Sequence, residues 1–274
     1  MRWRALVFTT GLALSASCAT VPQPAPDVRV LVFNIHAGKD AGGKPNLEGV
    51  ADLIRTTDAD IVLLQEVDRG TGRSGKEDQL QRLADMLNDG GRKSYSSAFG
   101  KSLDFDGGEY GIAALVRGTI TNTRTEALPV EPPQERSGGS HEPRAALIVT
   151  AATRRGAITI LNTHLDASAD EHYRLQESAR IVELTRAIDP GQSVIAGGDF
   201  NAEPGSQTHQ QLLFAGLRDV WLPCGTGEGY TYPADKPVKR IDYLYLVAGA
   251  ECSEATVINT QASDHRPVLF VLRM

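Results

Sequence analysis

Ser263-Asp264-His265-Arg266-Pro267, just ahead of the final apolar run, is the stretch on which the reading of this chain turns. Taken alone it is a polar turn before a strand, since Pro267 forces an extended start. Its weight comes from partners scattered far upstream: Asn34, Gln65-Glu66, Asn162-Thr163-His164 and Gly198-Asp199-Phe200-Asn201. Each fragment ends an apolar run. Val30-Leu31-Val32-Phe33 leads into Asn34, Ile61-Val62-Leu63-Leu64 into Gln65-Glu66, Ile158-Thr159-Ile160-Leu161 into Asn162, and Val194-Ile195-Ala196 into the Asp199 fragment. Strand ends of this kind converge on one rim. Carboxylates, amides and imidazoles gathered there suit a metal ion and a phosphate ester, where base and cation must sit close together.

Outward from these strand ends, β-like runs mix with amphipathic ones. Residues 28–35, 61–64, 95–99, 111–116, 145–151, 157–161, 194–196, 241–247 and 268–272 read as strands. Helical spacing marks 47–56 through Leu47, Val50, Ala51 and Ile54, and 78–87 through Leu80, Leu83, Ala84 and Leu87. A third helix is expected over 171–188, stopped by Asp189-Pro190-Gly191. Consecutive β runs argue against a doubly wound parallel sheet and for an α/β (α+β) fold with two packed mixed sheets flanked by helices. Residues 128–142, rich in Pro, Gly, Ser and charge, read as one long loop.

The chain has 274 residues, 41% hydrophobic and 23% charged, and shows neither an internal repeat nor a linker that would split residues 28–274 into two domains. Residues 1–19 read as a secretion signal, with Arg2 and Arg4 ahead of an apolar centre too short to span a bilayer. Leu14-Ser15-Ala16-Ser17-Cys18 resembles a bacterial lipobox, although Ser15 stands where an aliphatic residue is usual; ordinary cleavage near Ala19 is the alternative. A lipidated Cys18 with residues 20–27 as a Pro-rich tether would place the protein at the cell envelope. In that oxidising setting Cys224 and Cys252 either pair or stay as two separate thiols. Net charge is −6, and about −8 without Arg2 and Arg4, which argues against a dedicated duplex-DNA enzyme but leaves room for a local basic groove at Arg136, Arg144, Arg154 and Arg240. No protein partner is indicated.

The ordered set Phe33-Asn34-Ile35-His36, Leu64-Gln65-Glu66, Tyr110-Gly111, Asn162-Thr163-His164-Leu165-Asp166, Gly198-Asp199-Phe200-Asn201, Arg240-Ile241-Asp242-Tyr243 and Ser263-Asp264-His265-Arg266-Pro267 resembles the endonuclease/exonuclease/phosphatase superfamily. The resemblance covers residues 28–272 and implies a four-layer α/β/β/α sandwich with metal-dependent phosphoesterase activity. It implies Glu66 as principal ligand of Mg²⁺, with Mn²⁺ as an alternative, Asn34 offering an amide oxygen beside it and Asp264 reaching it directly or through water. Asp199 becomes the general base. Asn201, two residues on along an extended segment, holds water or a phosphate oxygen. His265 donates to the phosphate with Asp242 fixing its tautomer, and His164 is a second imidazole, suited to act as leaving-group acid. Tyr110 and Arg144 are substrate contacts, although Arg144 could equally pair with Glu142 on the surface; Arg240 is a weaker candidate.

One position departs from the pattern. His36 stands where nucleases of the family often carry an acidic residue, so it would either point at the phosphate or shift preference toward Mn²⁺ or Zn²⁺. His36, His164 and His265 lack the short spacing of a structural zinc site. No Gly-x-Ser-x-Gly nucleophile motif is present, so water is the expected nucleophile. A phosphate-ligand binding module without turnover is the competing class. Few aromatics and the negative charge speak against a nuclease groove, and no long apolar hairpin suggests a bilayer-dipping lipid enzyme.

Overall fold

The computed structural model describes residues 27–89, 94–133, 142–154, 156–189 and 191–273, besides residues 1 and 3. The expected signal, Cys18, most of the tether and Arg136 lie outside the described residues. One sheet contains β1 (Val28–Asn34), β2 (Ile61–Arg69), β3 (Ser96–Phe105), β4 (Gly108–Val116), β11 (Glu251–Val257) and β12 (Val268–Arg273), ordered β11-β12-β1-β2-β4-β3. The other contains β5 (Gly118–Leu128), β6 (Arg144–Thr153), β7 (Gly156–His164), β8 (Ser193–Asp199), β9 (Arg218–Asp219) and β10 (Asp242–Ala248), ordered β5-β6-β7-β8-β10-β9. Both are mixed. In each, one central pair is parallel, β1 with β2 and β7 with β8, and the remaining pairs are antiparallel.

The continuous apolar runs are strands buried on both faces, with alternate side chains sorted by the two-residue period. Val30, Val32, Ile61 and Leu63 point between the sheets to meet Leu147, Ile160, Ile195 and Leu244. Leu31, Phe33, Val62 and Leu64 point outward, under α1 (Leu47–Thr57) and α2 (Gln79–Asn88). On the far side α3 (His172–Arg186) and α4 (Gln207–Phe214) cover Leu161, Ala196, Phe200, Tyr243 and Tyr245. The result is the α/β/β/α layering expected from the sequence. Leu47, Val50 and Ile54 of α1 are nearly or fully buried, a contribution of about 1.5–3 kcal/mol each.

Helix ends follow local chemistry. The Asp78 carboxylate accepts from Gln81 N–H at 3.0 Å and starts α2 one residue after the expected boundary. Ser206 Oγ accepts from His209 N–H at 3.2 Å and starts α4. Glu171, just before α3, accepts from the N–H groups of Gln207 and Thr208 at 3.1 and 2.7 Å, tying the two outer helices together. A short α5 (Trp221–Cys224) is joined to β11 by a Cys224–Cys252 disulfide, so the two cysteines pair. β5, β9, β11 and α4 are additions to the sequence reading, and the expected loop at 128–142 begins one residue into the end of β5. Among the described residues no helix is long and apolar enough to cross a membrane.

Candidate active site

The parallel pairs place their C-terminal ends on one rim, which is why residues from both sheets meet there. Asn34 ends β1, His164 ends β7, and Asp199 ends β8 directly opposite Asp242, the first residue of antiparallel β10. Gly198 makes the last step feasible: at φ 140°, a Cβ there would lie 1.9 Å from Thr163 O on β7. Glu66 sits inside β2 at a register shift, with φ 58°. A bulge with a left-handed non-glycine residue costs roughly 1–3 kcal/mol and turns the carboxylate out of the sheet toward the rim. Beneath it, Gln65 Nε2 donates to Asn162 Oδ1 at 2.7 Å, and Asn162 Nδ2 donates to the carbonyls of Leu64 and Ala113 at 2.9 and 2.8 Å. This buried amide pair locks the sheets together directly under the site.

Asp199 is the hub. Its Oδ1 accepts from Asn201 N–H at 2.9 Å and its Oδ2 from Asn34 Nδ2 at 3.1 Å. His164 Nε2 and His265 Nε2 each stand 3.7 Å from that same Oδ2. His265 Nδ1 lies 2.9 Å from Asp242 Oδ2. Burial opposes charge on His265, but Asp242 and then Asp199 outweigh it and raise its pKa to about 10, so the ring is an imidazolium between two carboxylates. Asp199 itself is raised by burial and by Asp242, with His265 and the Asn201 N–H opposing. His164 is pushed well down by burial, then by Arg144 and His265, and is neutral. Its 3.7 Å approach to Asp199 is therefore a van der Waals neighbour relation and not an ion pair.

These three buried groups, Asp199, Asp242 and His265, also bring ligand atoms within 4.8 Å of one another. His265 Nδ1 is engaged by Asp242 Oδ2 at 2.9 Å and both Asp199 oxygens accept amide hydrogen bonds, so we assign the trio to proton handling. The oxygen donors that fit a hard divalent cation are the carboxylates of Glu66, which shares the Asn34 amide with Asp199, and Asp264, both of which line the same pit. Glu66 Oε1 accepts from Asn34 Nδ2 at 3.0 Å and has acceptor capacity to spare.

A polar pit of about 560 Å³ opens over this arrangement, lined by Glu66, Tyr110, Arg144, His164, Asp199, Asn201, Asp264 and His265 among others. A neighbouring cavity of about 670 Å³ shares Arg144 with it but holds none of the acid–base groups, so the smaller one is the candidate site. Asn34 and Asp242 stand behind the lining residues as their hydrogen-bond partners. His36 is beside the site, its Nδ1 3.8 Å from Asp264 Oδ1.

Several expectations need correcting. Asn34 does not present its oxygen to a metal position: Oδ1 accepts from His36 N–H at 3.1 Å, while Nδ2 faces two carboxylates, the electrostatically favoured orientation. Asn201 does not continue an extended segment; at φ 48° it turns back, and its Nδ2 donates to Leu165 O at 3.0 Å. Arg240 is buried away from the pit, where Nη1 bonds Asp219 Oδ2 at 2.8 Å and the guanidinium stacks 4.7 Å from the Tyr243 ring centre, so it is structural. Arg144 is buried and not on the surface, with Glu142 3.8 Å away. Arg144 and Arg154 stand at opposite ends of β6, about 30 Å apart, and with Arg240 buried the described residues form no continuous basic groove. Sequence reading missed Arg73, Phe105, Tyr232 and Lys239, which also line the pit. Tyr232 packs its ring 4.7 Å from His265.

A two-sheet sandwich carrying carboxylates, imidazoles and amides on the rim of its parallel strands defines a phosphoesterase-type class. The endonuclease/exonuclease/phosphatase family model matches residues 31–265, and the chain belongs to that family. Its members are hydrolases of phosphoester bonds and typically depend on divalent metal. The chain is 28% identical to the uncharacterized protein YbhP of Escherichia coli K12 over 88% of this chain and 94% of that one. It is also 28% identical to the inositol phosphosphingolipids phospholipase C of Schizosaccharomyces pombe, over 84% of this chain and 54% of that one. The mannosyl-6-phosphatase Bt3783 of Bacteroides thetaiotaomicron shares the fold, with TM-score 0.71, 18% identity, and coverage of 90% of this chain and 100% of that one.

Proposed function

We propose that this protein hydrolyses a small hydroxylated phosphate ester by direct attack of water, with Asp199 as general base. The observation that carries the reading is the fixation of Asp199: two amide donors hold its carboxylate, and two imidazoles face one of its oxygens at 3.7 Å. Glu66 and Asp264 would hold the divalent ion, Mg²⁺ or Mn²⁺. When bound, the ion neutralises charge on the phosphoryl group and acidifies water. Burial and Asp242 raise the affinity of Asp199 for a proton, which is what a base needs when it takes one from water. The imidazolium of His265, held by Asp242, donates to a phosphoryl oxygen as negative charge grows there. His164, kept neutral by burial, donates a hydrogen bond to the ester in place of the proton expected from sequence, and the departing alkoxide takes its proton from water in the pit, to which Asp199 returns the one it removed. Tyr110 stays a phenol, its pKa pushed up by burial and then by Glu66, and serves as a neutral donor.

The polar lining and modest volume of the pit favour a compact, hydroxyl-rich substrate, in keeping with the names of the mannosyl-6-phosphatase and the inositol phosphosphingolipids phospholipase C above. The proposal extends to residues 1–27 as a signal and lipid anchor at Cys18, with envelope location. Labelling with radioactive palmitate in a bacterial host, abolished by Cys18→Ser, checks that part.

The test of the chemistry uses the full-length protein with p-nitrophenyl phosphate, bis-p-nitrophenyl phosphate, plasmid DNA and sphingomyelin, each with Mg²⁺, Mn²⁺ or EDTA. We expect turnover that needs metal and falls about 10²–10⁴-fold in Asp199→Ala with unchanged circular dichroism. Equal rates in wild type and Asp199→Ala would remove the general-base assignment.

A further inference from the structure

Arg73 and Arg144 line the same pit as Glu66 and Asp264, and the hydrolytic scheme leaves both arginines without a task. Arg73 lies in the turn that follows β2. Its Nε and Nη2 donate to the two oxygens of Asp68, both at 2.8 Å, and Asp68 is fully buried. The guanidinium carbon sits 4.6 Å from the Phe105 ring centre and 5.2 Å from that of Tyr110. The turn is pinned to the β3–β4 hairpin, with Arg73 N–H donating to Asp106 Oδ2 at 2.6 Å and Gly72 N–H to Asp106 O at 2.9 Å. One edge and the ring-stacked face of the guanidinium are thus held rigidly. Its Nη1 makes no hydrogen bond to any described residue, and the side chain is 30% exposed where it lines the pit.

Across Tyr110 stands Arg144. It is only 6% exposed, and its Nε is a buried donor with no partner among the described residues. A guanidinium carries five N–H donors, and leaving one of them unpaired in a buried wall is unfavourable. Arg117 and Arg174 also leave Nε unpartnered, but their Nη1 groups donate to backbone carbonyls, whereas Arg144 lines the pit with Glu142 at 3.8 Å as its ion-pair partner and no hydrogen bond from its guanidinium to a described residue. In the proposed scheme the scissile phosphate is served by His164 and His265 near Asp199.

We infer that Arg73 and Arg144 form a second anion subsite, so that the natural substrate is a phosphate ester whose organic part bears a further phosphate, sulfate or carboxylate. The assignment rests on the phosphoesterase reading for its orientation, with the scissile group at Asp199 and the second anion beside Tyr110. Asp68 presets the Arg73 fork, so its ordering entropy is settled before substrate arrives. The stacked rings beneath it keep water from that face.

Two pairs of probes share a scissile ester and differ by one distant anion. They are glucose 6-phosphate against glucose 1,6-bisphosphate, and p-nitrophenyl thymidine 5′-phosphate without and with a 3′-phosphate. Binding of each to the full chain is measured by calorimetry in EDTA, and kcat/KM is measured with metal. Wild type should prefer the dianionic-site member of at least one pair about tenfold or more. That ratio should collapse to within about twofold in Arg73→Gln. Because Arg73→Gln strands the buried Asp68 carboxylate, Asp68→Asn/Arg73→Gln is the control that keeps the turn neutral, and it should show the same collapse. A wild-type ratio near one in both pairs, or a tenfold ratio that survives in the double variant, overturns the subsite. Absence of Asp199-dependent turnover with the binding preference intact would defeat the hydrolytic reading and leave the subsite standing.

Discussion

Glu177 of α3 shows how the site region responds to pH through one buried side chain. It is fully buried, its Oε2 accepts from Asp166 N–H at 2.8 Å, and burial raises its pKa from 4.5 to about 7 against the pull of that bond and of Arg144. A raised carboxyl means that between these two values the native state holds a proton the unfolded chain has released. Stability from this group is therefore complete below the unfolded pKa and is lost as pH rises toward 7, by about 3 kcal/mol in total. Urea unfolding of Glu177→Gln should lack that decline between about pH 5 and 7.5, and parallel curves for variant and wild type would refute it. Arg240 poses the opposite case, a charge buried with its partner. Arg240→Ala leaves the buried Asp219 without its guanidinium, with only His209 Nε2 at 3.1 Å and the Trp221 N–H at 3.0 Å beside it among the described residues, so a loss of about 3–5 kcal/mol is expected in urea unfolding. Activity of the folded fraction should be retained; lost activity without lost stability would return Arg240 to the substrate-binding set.

At the level of elements, the disulfide spans 28 residues and ties α5, which follows edge strand β9 of the second sheet, to β11, the edge strand of the first. Chain-entropy arguments put its contribution at about 3–4 kcal/mol. Cys224→Ser/Cys252→Ser should lower the midpoint of thermal unfolding, and wild type in strong reductant should match the variant; an unchanged midpoint in both would show the bridge to be idle. The strands that make the rim were legible because their apolar runs are buried on both faces, so Val30 and Leu31 or Ile61 and Val62 are apolar for different neighbours. β5 escaped because its alternate residues Thr119, Thr121, Thr123 and Thr125 are exposed, and a polar run beside Gly118 looks like a loop. α4 escaped because Gln207-Thr208-His209-Gln210-Gln211 has little apolar spacing; its end is capped by Ser206 and by Glu171 from another helix. Arg73 was invisible for a related reason, since its geometry comes from Asp68, Asp106 and two aromatic rings and from no pattern in its own turn. Arg240 was misread because nothing local reveals that Asp219, in a two-residue strand, neutralises it.

Over the whole molecule, a net charge of −6, with Arg240 consumed by Asp219 and the donors of Arg73 and Arg144 confined to one pit, leaves little to hold a polyanion. No retardation of a short DNA duplex is expected with about 10 μM protein at about 150 mM salt; a discrete shifted band there would contradict the small-substrate reading. The two sheets repeat one arrangement, a hairpin edge, a parallel pair and an antiparallel partner. Yet they bring different goods to the rim: the first carries Asn34, Glu66 and Tyr110, the second His164, Asp199 and Asp242. Neither half-molecule contains a working set. The Asn34 amide that spans Glu66 and Asp199 and the Gln65–Asn162 pair below it are thus gauges of registration, because a slip of one sheet past the other by a fraction of a hydrogen-bond length separates the ion's seat from the base. On the proposed chemistry, turnover is a property of the seam, and mutations in the layer between the sheets are expected to show as lost turnover before they show as lost structure.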